Sequence, residues 1–575
     1  MKRLFTVMMM ALAGSSAFAQ WNTNATPTCL MGIEYTDPET GEVRKGGDYY
    51  ICEPKVARTP DKKTWISWKT WGHKKIRDIN RYAVRTYLQL LDRDGNPQFE
   101  EPIMVNDHMT DSWWSDYALL VAADGSAIVT IADQRFQEAT IDDTYTYTQP
   151  VYDEEGNAQY DEEGNLIEEE VTGVLEHGDH SWPSIYKIDQ EGNFLWGLDG
   201  MEFPEYDNTM YTNAFVVGDD TYFVFVNTNY ESTVSTGYIQ RISDDGVTVW
   251  EEPKVLECTN PLQVVVLPTN DNEILLFDTT NEGSRVQRTT RDLEPVWGEP
   301  VIYDEHAYGG YEMNHYDILP DGSGGACIAF QRFMGNTSHN IRAQHVYEDG
   351  SLGFGLTGLD AYNADAYDHA YQSLAVNPET EEMLVQFASE LGSTGNVMHQ
   401  KFSFDGEYLY DELGMSIASK NKYTNTYMFG LVGVGSLKCG DWIAVYRDLS
   451  AYNHESFVIR RYDQNGERVW TRTIGRDLAP DGVQLVVEEE AAYLFYREYA
   501  EGKEPGFKIF RIGVDGSYDV SYPEPEIPNG IENNICKPTT ANRYFTVDGR
   551  QIAQPQRGLN IVKQGDGSVR KFSVE

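Results

Sequence analysis

The chain has 575 residues, 41% of them hydrophobic and 13% aromatic, enough apolar material for a packed core and too much chain for one ordinary domain. Its 45 Lys and Arg stand against 91 Asp and Glu, a net charge of −46 that repels phosphate backbones and anionic lipid and excludes nucleic acid as a partner. Six scattered cysteines with no CxxC exclude a disulfide framework and a structural zinc site, leaving Cys29 and Cys52 as either a bridge or two buried thiols.

Residues 1–20 read MKRLFTVMMMALAGSSAFAQ. Lys2 and Arg3 precede an apolar run from Leu4 to Ala13, and Ala17-Phe18-Ala19 forms an A-x-A cleavage motif, the pattern of a secretory signal peptide. The run is too short to span a bilayer, and no later segment is long and apolar enough to do so. No cysteine stands where a lipoprotein signal needs one. Residues 1–19 are expected to be removed, and the chain to pass through the periplasm and work outside the cell or on its outer surface. Residues 20–49 form an N-terminal segment placed to close the domain that follows.

From residue 50 to residue 522 one motif recurs. LDRDGNPQF (91–99), IDQEGNFLW (188–196), ISDDGVTVW (242–250), HVYEDGSLGF (345–354), FSFDGEYLY (402–410), YDQNGERVW (462–470) and IGVDGSYDV (512–520) share a turn glycine. TTRDLEPVW (289–297) is a copy with Leu293 in the glycine's place. Four residues beyond the turn position stand Phe99, Trp196, Trp250, Trp297, Phe354, Tyr410, Trp470 and Val520. Alternating stretches flank each turn, and a more aliphatic hairpin stands upstream, as in VVVLPTNDNEILLFD (264–278). Each unit is thus four short strands, and a period of about fifty residues with that make-up reads as a β-propeller. The expected fold is all-β: a propeller of eight four-stranded blades, followed by a small C-terminal β domain. The aromatic is expected to plug the space between neighbouring blades, since no blade covers both its faces alone.

The offset from turn glycine to tryptophan resembles the repeat of the quinoprotein-alcohol-dehydrogenase-like propellers. That family is commonly eight-bladed and includes pyrroloquinoline-quinone enzymes and an outer-membrane assembly lipoprotein. The resemblance implies fold, not chemistry. The quinone enzymes carry adjacent cysteines near the cofactor, and this chain has no Cys-Cys pair, so no such cofactor is expected. The lipoprotein's lipobox is also absent.

One repeat is too long, and the excess is residues 139–178, with YDEEGNAQYDEEGN and more acid after it. A protruding, solvated hairpin is expected there. Calcium is the one ion such acidity invites, although the spacing departs from the EF-hand pattern. His177 and His180 beside Asp179 are a weak metal hint.

The two hairpin turns of each blade are short and share one face. The blade-to-blade links, with the links between second and third strands, are longer and share the other, and function on a rigid scaffold gathers at long loops. The links read DHMTDSWWSDY (107–117), EYDNTMYTN (205–213), GGYEMNHY (309–316), ADAYDHAY (364–371) and SKNKYTNTY (419–427). Candidate ligand-binding residues there are Asp111, Trp113, Trp114, Asp207, Tyr211, His315, Tyr316, Asp368, His369, Tyr423, Asn425 and Tyr427. Flat rings beside carboxylates, amides and imidazoles suit stacking on sugars or clasping a peptide. The expected function is binding of an extracellular glycan or protein through this long-loop face. A polysaccharide hydrolase or lyase is the alternative, with acids among Asp111, Asp116, Asp207 and Asp368 and His315 or His369 as base. A scaffold for envelope protein assembly, gripped along its blade edges, is the third. No GxSxG, HExxH or phosphate-binding glycine loop is present, and an enzyme is the less favoured reading.

Four prolines in YPEPEIPNGIENNICKPTT (522–540) mark residues 523–540 as a linker. Residues 541–575 then alternate as strands, with turns at Asp548-Gly549 and Gly565-Asp566-Gly567, and carry more basic than acidic residues. Tyr544 with Gly549-Arg550, Gly558 before an apolar strand to Val562, and the finish Arg570-Lys571-Phe572 resemble the C-terminal sorting domains of type IX secretion substrates. The resemblance implies export across the outer membrane, with the secretion machinery as partner of residues 541–575.

Overall fold

A computed structural model describes residues 22–23, 26–32, 34–36, 43–45, 50–76, 79–105, 117–134, 144–151, 159–160, 166–174, 181–206, 209–229, 234–305, 316–333, 339–362, 368–391, 394–421, 429–451, 454–478, 480–498, 506–518, 543–546, 551–552, 557–563 and 569–574. Among them the only helical turn is Pro261–Gln263. The chain is an all-β propeller of eight four-stranded antiparallel blades. The blades occupy 50–104, 119–202, 209–256, 265–304, 316–360, 368–421, 429–478 and 480–513, the last completed by Thr26–Gly32. No helix among the described residues is long and apolar enough to cross a membrane.

The chain divides into two compact units. One comprises residues 34–90 and 98–262 and holds blades one to three; the other comprises 1–33, 91–97 and 263–575. In the first unit, Trp65 and Leu88 of blade one are buried with Val129 and Ile131 of blade two. Ile128 is buried instead with Phe223 and Phe225 of blade three. Ile128 and Val129 thus serve opposite faces of one strand, as its period of two requires. The second unit repeats the scheme: Met383 and Val385 pack with Ile341 and Ala343 of blade five, and Leu384 between them packs with Trp442 and Ala444 of blade seven.

Every turn position has positive φ, from +64° at Leu293 to +89° at Gly192. In each, the turn residue's N–H donates to the carbonyl three residues back, as Gly246 does to Ser243 at 2.9 Å. In six of the copies the aromatic four residues on lies against the turn glycine of the next blade. A Cβ on Gly246 would stand 2.4 Å from Trp196 Cδ1, and one on Gly466 or Gly516 would stand 3.0 Å from Tyr410 or Trp470. Phe99 meets Gly192, Trp297 meets Gly350 and Phe354 meets Gly406 in the same way. The expected plug between blades is therefore present, and it explains the glycine twice: by its φ, and by the ring that covers it. The Trp196 indole also donates to the Asp244 carbonyl at 3.0 Å, and that of Trp470 to the Val514 carbonyl at 2.9 Å. Trp250 packs edge-on against Tyr222 of its own blade and under the Lys254 ammonium.

Two further positions of the repeat emerge only in three dimensions. Six residues before the turn position, Gln89, Gln240 and Gln287 each donate to the carbonyl of the aromatic, Phe99, Trp250 and Trp297. Five residues before it, blades two to eight carry Lys187, Arg241, Arg288, His345, Lys401, Arg461 and Arg511. Five of them, Lys187, Arg288, His345, Lys401 and Arg461, tie a blade's own first hairpin to the next blade's turn. Lys187 joins Asp124 at 3.2 Å to Asp244 at 2.5 Å. Lys401 joins Glu382 at 3.1 Å to the Gln464 carbonyl at 2.6 Å. Arg461 joins Asp441 to the Val514 carbonyl at 2.7 Å, and His345 joins Asp321 at 3.0 Å to the Phe404 carbonyl at 3.1 Å. Blade one has Leu90 at this place, and Lys63 of its first hairpin reaches Gln190 instead.

The links between second and third strands are shorter than expected. In blades one, four, six and seven they are two residues long, at 77–78, 281–282, 392–393 and 452–453. Strands in register need no more, as Leu391 directly opposite Thr394 illustrates. Long connections on that face are therefore mainly the blade-to-blade links, and even these shrink to one residue between Leu478 and Pro480. The acidic insertion forms a separate hairpin, Thr144–Pro150 with Glu168–Val174. The C-terminal residues form their own four-stranded sheet, in the order Gln551–Ile552, Arg543–Thr546, Gly558–Lys563, Val569–Val574.

Candidate functional site

The first strand of each blade begins where a blade-to-blade link ends, so the heads of these strands mark the long-loop face. Four of the twelve sequence candidates stand at such heads. Tyr211 is in Thr209–Val217, Tyr316 opens Tyr316–Pro320, and Asp368 and His369 open Asp368–Asn377. Asp111, Trp113, Trp114, Asp207, His315, Tyr423, Asn425 and Tyr427 lie outside the described residues, as do Asp116, Asp179, His177 and His180.

Tyr211 is half-buried. Its hydroxyl donates to the Leu262 carbonyl at 3.2 Å and accepts from the Asn213 amide at 3.2 Å. The ring is thus fixed at the head of blade three's first strand by the 3-10 turn that leads into blade four.

Blades five and six bring the other three together. Tyr316 pairs with Phe330, Asp368 with Glu390 and His369 with Ser389, all at the same end of adjacent blades. Sequence reasoning passed over the residue between them that the structure singles out. Asp317 follows Tyr316 on blade five's first strand and pairs with Ala329, which is buried in the cluster shared with blade six. Ile318 beside it faces the cluster shared with blade four. Alternation therefore turns the Asp317 carboxyl toward blade six. Its Oδ2 is shut from solvent with no hydrogen-bond partner, and burial pushes the carboxyl up to about 6. The one visible signal was an acid at a core-phase position in YDILP.

Charges at comparable strand ends nearby are paired. Arg447 reaches Glu455 at 3.1 Å and the Pro480 carbonyl at 3.0 Å, and Arg342 reaches Asp360 at 2.8 Å. The opposite face is occupied by structural ties. Burial works against the Lys187 charge, but Asp244 and Asp124 outweigh it and raise its affinity for the proton. Burial likewise opposes Asp321, but the His345, Ser323 and backbone hydrogen bonds win and hold it near about 2. The Asp321 carboxylate thus has its hydrogen bonds filled from within, whereas Asp317 Oδ2 has none. Among the described residues no group of three or more His, Cys, Asp or Glu could hold a metal ion. Cys327 is a buried free thiol.

No protein family and no curated protein matches the sequence. Solved structures match it at low similarity. An ulvan lyase, described as a new family of polysaccharide lyase, is 9% identical with a TM-score of 0.39, over 86% of this chain and 98% of that one. The β-propeller domain of the trilobed protease from Pyrococcus furiosus is 8% identical with a TM-score of 0.33, over 84% and 98%. The acylaminoacyl peptidase of Pyrococcus horikoshii is 10% identical with a TM-score of 0.35, over 79% of this chain, which spans 59% of that enzyme's length.

Proposed function

We propose that the propeller binds a glycan or protein ligand through the face where the blade-to-blade links gather, outside the cell or on its outer surface. The observation that supports this most directly is Asp317: a buried carboxyl with an unfilled oxygen, one residue from Tyr316 and one blade from Asp368 and His369. An unfilled buried polar atom costs stability, and a ligand that fills it recovers that cost. The aromatic and amide residues of the flanking links supply stacking surfaces for sugar rings or for an extended peptide.

A glycan array followed by calorimetry on the best hit tests the reading. Asp317→Asn and Tyr211→Ala are expected to weaken binding, with Tyr211→Ala leaving the fold intact. Unchanged affinity in Trp113→Ala and Tyr427→Ala as well would remove the long-loop face from consideration.

A carboxyl held near 6 also has the proton affinity of a general acid, which favours polysaccharide hydrolysis or elimination as the second reading. Shortened chains or unsaturated ends in the products of an array hit separate it from simple binding. Delivery by residues 541–575 to the secretion machinery completes the proposal.

A further inference from the structure

The seam between the outer strands of blades six and seven gathers cations and donors with no acid to meet them. Both blades belong to the second compact unit. On the third strand of blade seven, His454–Tyr462, Val458 and Tyr462 are buried in one cluster with Ile417 of blade six. Alternation turns Arg460, between them, toward blade six as well. Its guanidinium donates across the seam to the Ile417 carbonyl and to the Tyr462 hydroxyl at 3.4 Å, and lies over the Tyr446 ring at 5.4 Å from its centroid. All three partners are neutral. Other part-buried arginines are met by carboxylates: Arg241 by Asp220, Arg285 by Asp278, Arg461 by Asp441. Among the described residues Arg460 forms no ion pair, and neither does Arg468, which stands exposed opposite Tyr462 on the fourth strand.

Unfilled donors share that face. Arg460 Nε is shut from solvent with no hydrogen-bond partner, and so is the hydroxyl of Thr471, the residue directly opposite Arg460. The Trp442 indole N–H is unfilled too, on a wholly buried ring opposite Tyr462. A buried donor without an acceptor costs stability, and an enclosed guanidinium without a counter-charge costs more. The carboxylates that act on Tyr410 at the turn end of the seam are engaged elsewhere: Glu382 by Lys401 at 3.1 Å, Asp463 by the N–H groups of Asn465 and Glu467.

What fits such a face is an acceptor that carries negative charge, and the guanidinium fork matches the oxygens of carboxylate, sulfate and phosphate. The net charge of −46 does not prevent this. Remote carboxylates are screened beyond about 8 Å at physiological salt, whereas two guanidinium groups act at contact. The same charge does exclude a long polyanion, whose further groups would meet the acidic surface.

We propose that the seam between blades six and seven binds a single oxyanion group, a carboxylate, sulfate or phosphate, held by Arg460 and Thr471 with Arg468 at its mouth. The site shares no residue with the long-loop face and does not depend on it.

Calorimetry on the full-length protein with acetate, sulfate or phosphate, against chloride at equal ionic strength, tests the proposal. At least one of the three is expected to bind saturably, and the tightest identifies the group. Arg468→Gln, a change at an exposed side chain, is expected to weaken that binding at least tenfold. Thr471→Val keeps the side chain's shape and removes its unfilled hydroxyl. It is expected to raise the unfolding temperature of the anion-free protein while weakening the anion at least tenfold. A lowered temperature would mark the hydroxyl as a partner within the fold and overturn its place in the site. Saturable binding of none of the three anions overturns the proposal, as does an affinity unchanged in either variant.

Discussion

Trp196 covers Gly246 so closely that a Cβ there would lie 2.4 Å from the indole Cδ1, and the same indole donates to the Asp244 carbonyl. Gly246→Ala must therefore bear both a left-handed backbone, at φ +74°, and displacement of the ring. The first costs about 1 kcal/mol and the second adds about 1–3 kcal/mol. Gly355→Ala, at φ +71° with open space around it, should show the backbone cost alone. Leu293→Gly should stabilise by up to about 1 kcal/mol, because a leucine now holds that conformation. Denaturant midpoints of the three variants check the set.

Arg461 and Asp441 form a buried pair that also reaches blade eight through the Val514 carbonyl. Arg461→Met should cost about 3–5 kcal/mol, since it strands the Asp441 carboxylate. Adding Asp441→Leu should recover much of that loss. A double-mutant cycle measures the coupling, and additive losses would show that the tie is not made.

Asp317 should be the pH-sensitive acid of the structure. Its folded value, about 6, lies above its ordinary 3.8. Between those values the folded chain holds a proton that the unfolded chain has released, so stability falls as pH rises through the window. The penalty is full above pH 6 and amounts to about 2–3 kcal/mol. Asp317→Asn should stabilise the protein by up to that amount at pH 7 or above, with the advantage gone near pH 4. If the carboxyl serves a ligand, the same variant gains stability and loses affinity.

His399 is fully buried, with its Nε2 on the Gln386 amide oxygen at 3.0 Å. Burial, then the nearby Arg460 charge, lowers it to about 3 from 6.5. Below pH 6.5 the unfolded chain takes a proton that the folded chain refuses, so stability falls with pH down to about 3, by a total on the order of 4 kcal/mol. His399→Gln keeps a donor for Gln386 and removes the titration. Its unfolding midpoint should change less between pH 6.5 and 4 than that of the unaltered protein.

Deletion of residues 541–575 is expected to leave the propeller folded and to trap it in the periplasm. Fractionation of cells carrying the truncated chain checks this, and unimpaired export would refute the sorting assignment.

The turn and its aromatic were legible in the sequence because both requirements are local: a positive φ and a fixed offset along one strand pair. Even Leu293 was placed correctly by its offset, and it adopts φ +64°. The buried cations were not legible, although they recur as regularly. Lys187 and Arg461 look like surface residues until the next blade's turn is set beside them, and that neighbour lies 57 or 53 residues away in sequence. Asp317 was missed for a different reason. Its neighbours His315 and Tyr316 read as loop chemistry, and the core phase of Asp317 takes on meaning only when blade six is packed against that strand.

Blade eight is assembled from both ends of the chain: Thr28 pairs with Ile509 across the ladder that joins Thr26–Gly32 to Gly506–Gly513. Such a contact closes one of the longest loops the polypeptide can form, and loop closure delays contacts of that kind relative to local hairpins. During synthesis the first strand emerges hundreds of residues before its partner exists. The propeller therefore cannot finish folding until nearly all of it has been made. Folding of the ring is gated by the arrival of its last blade.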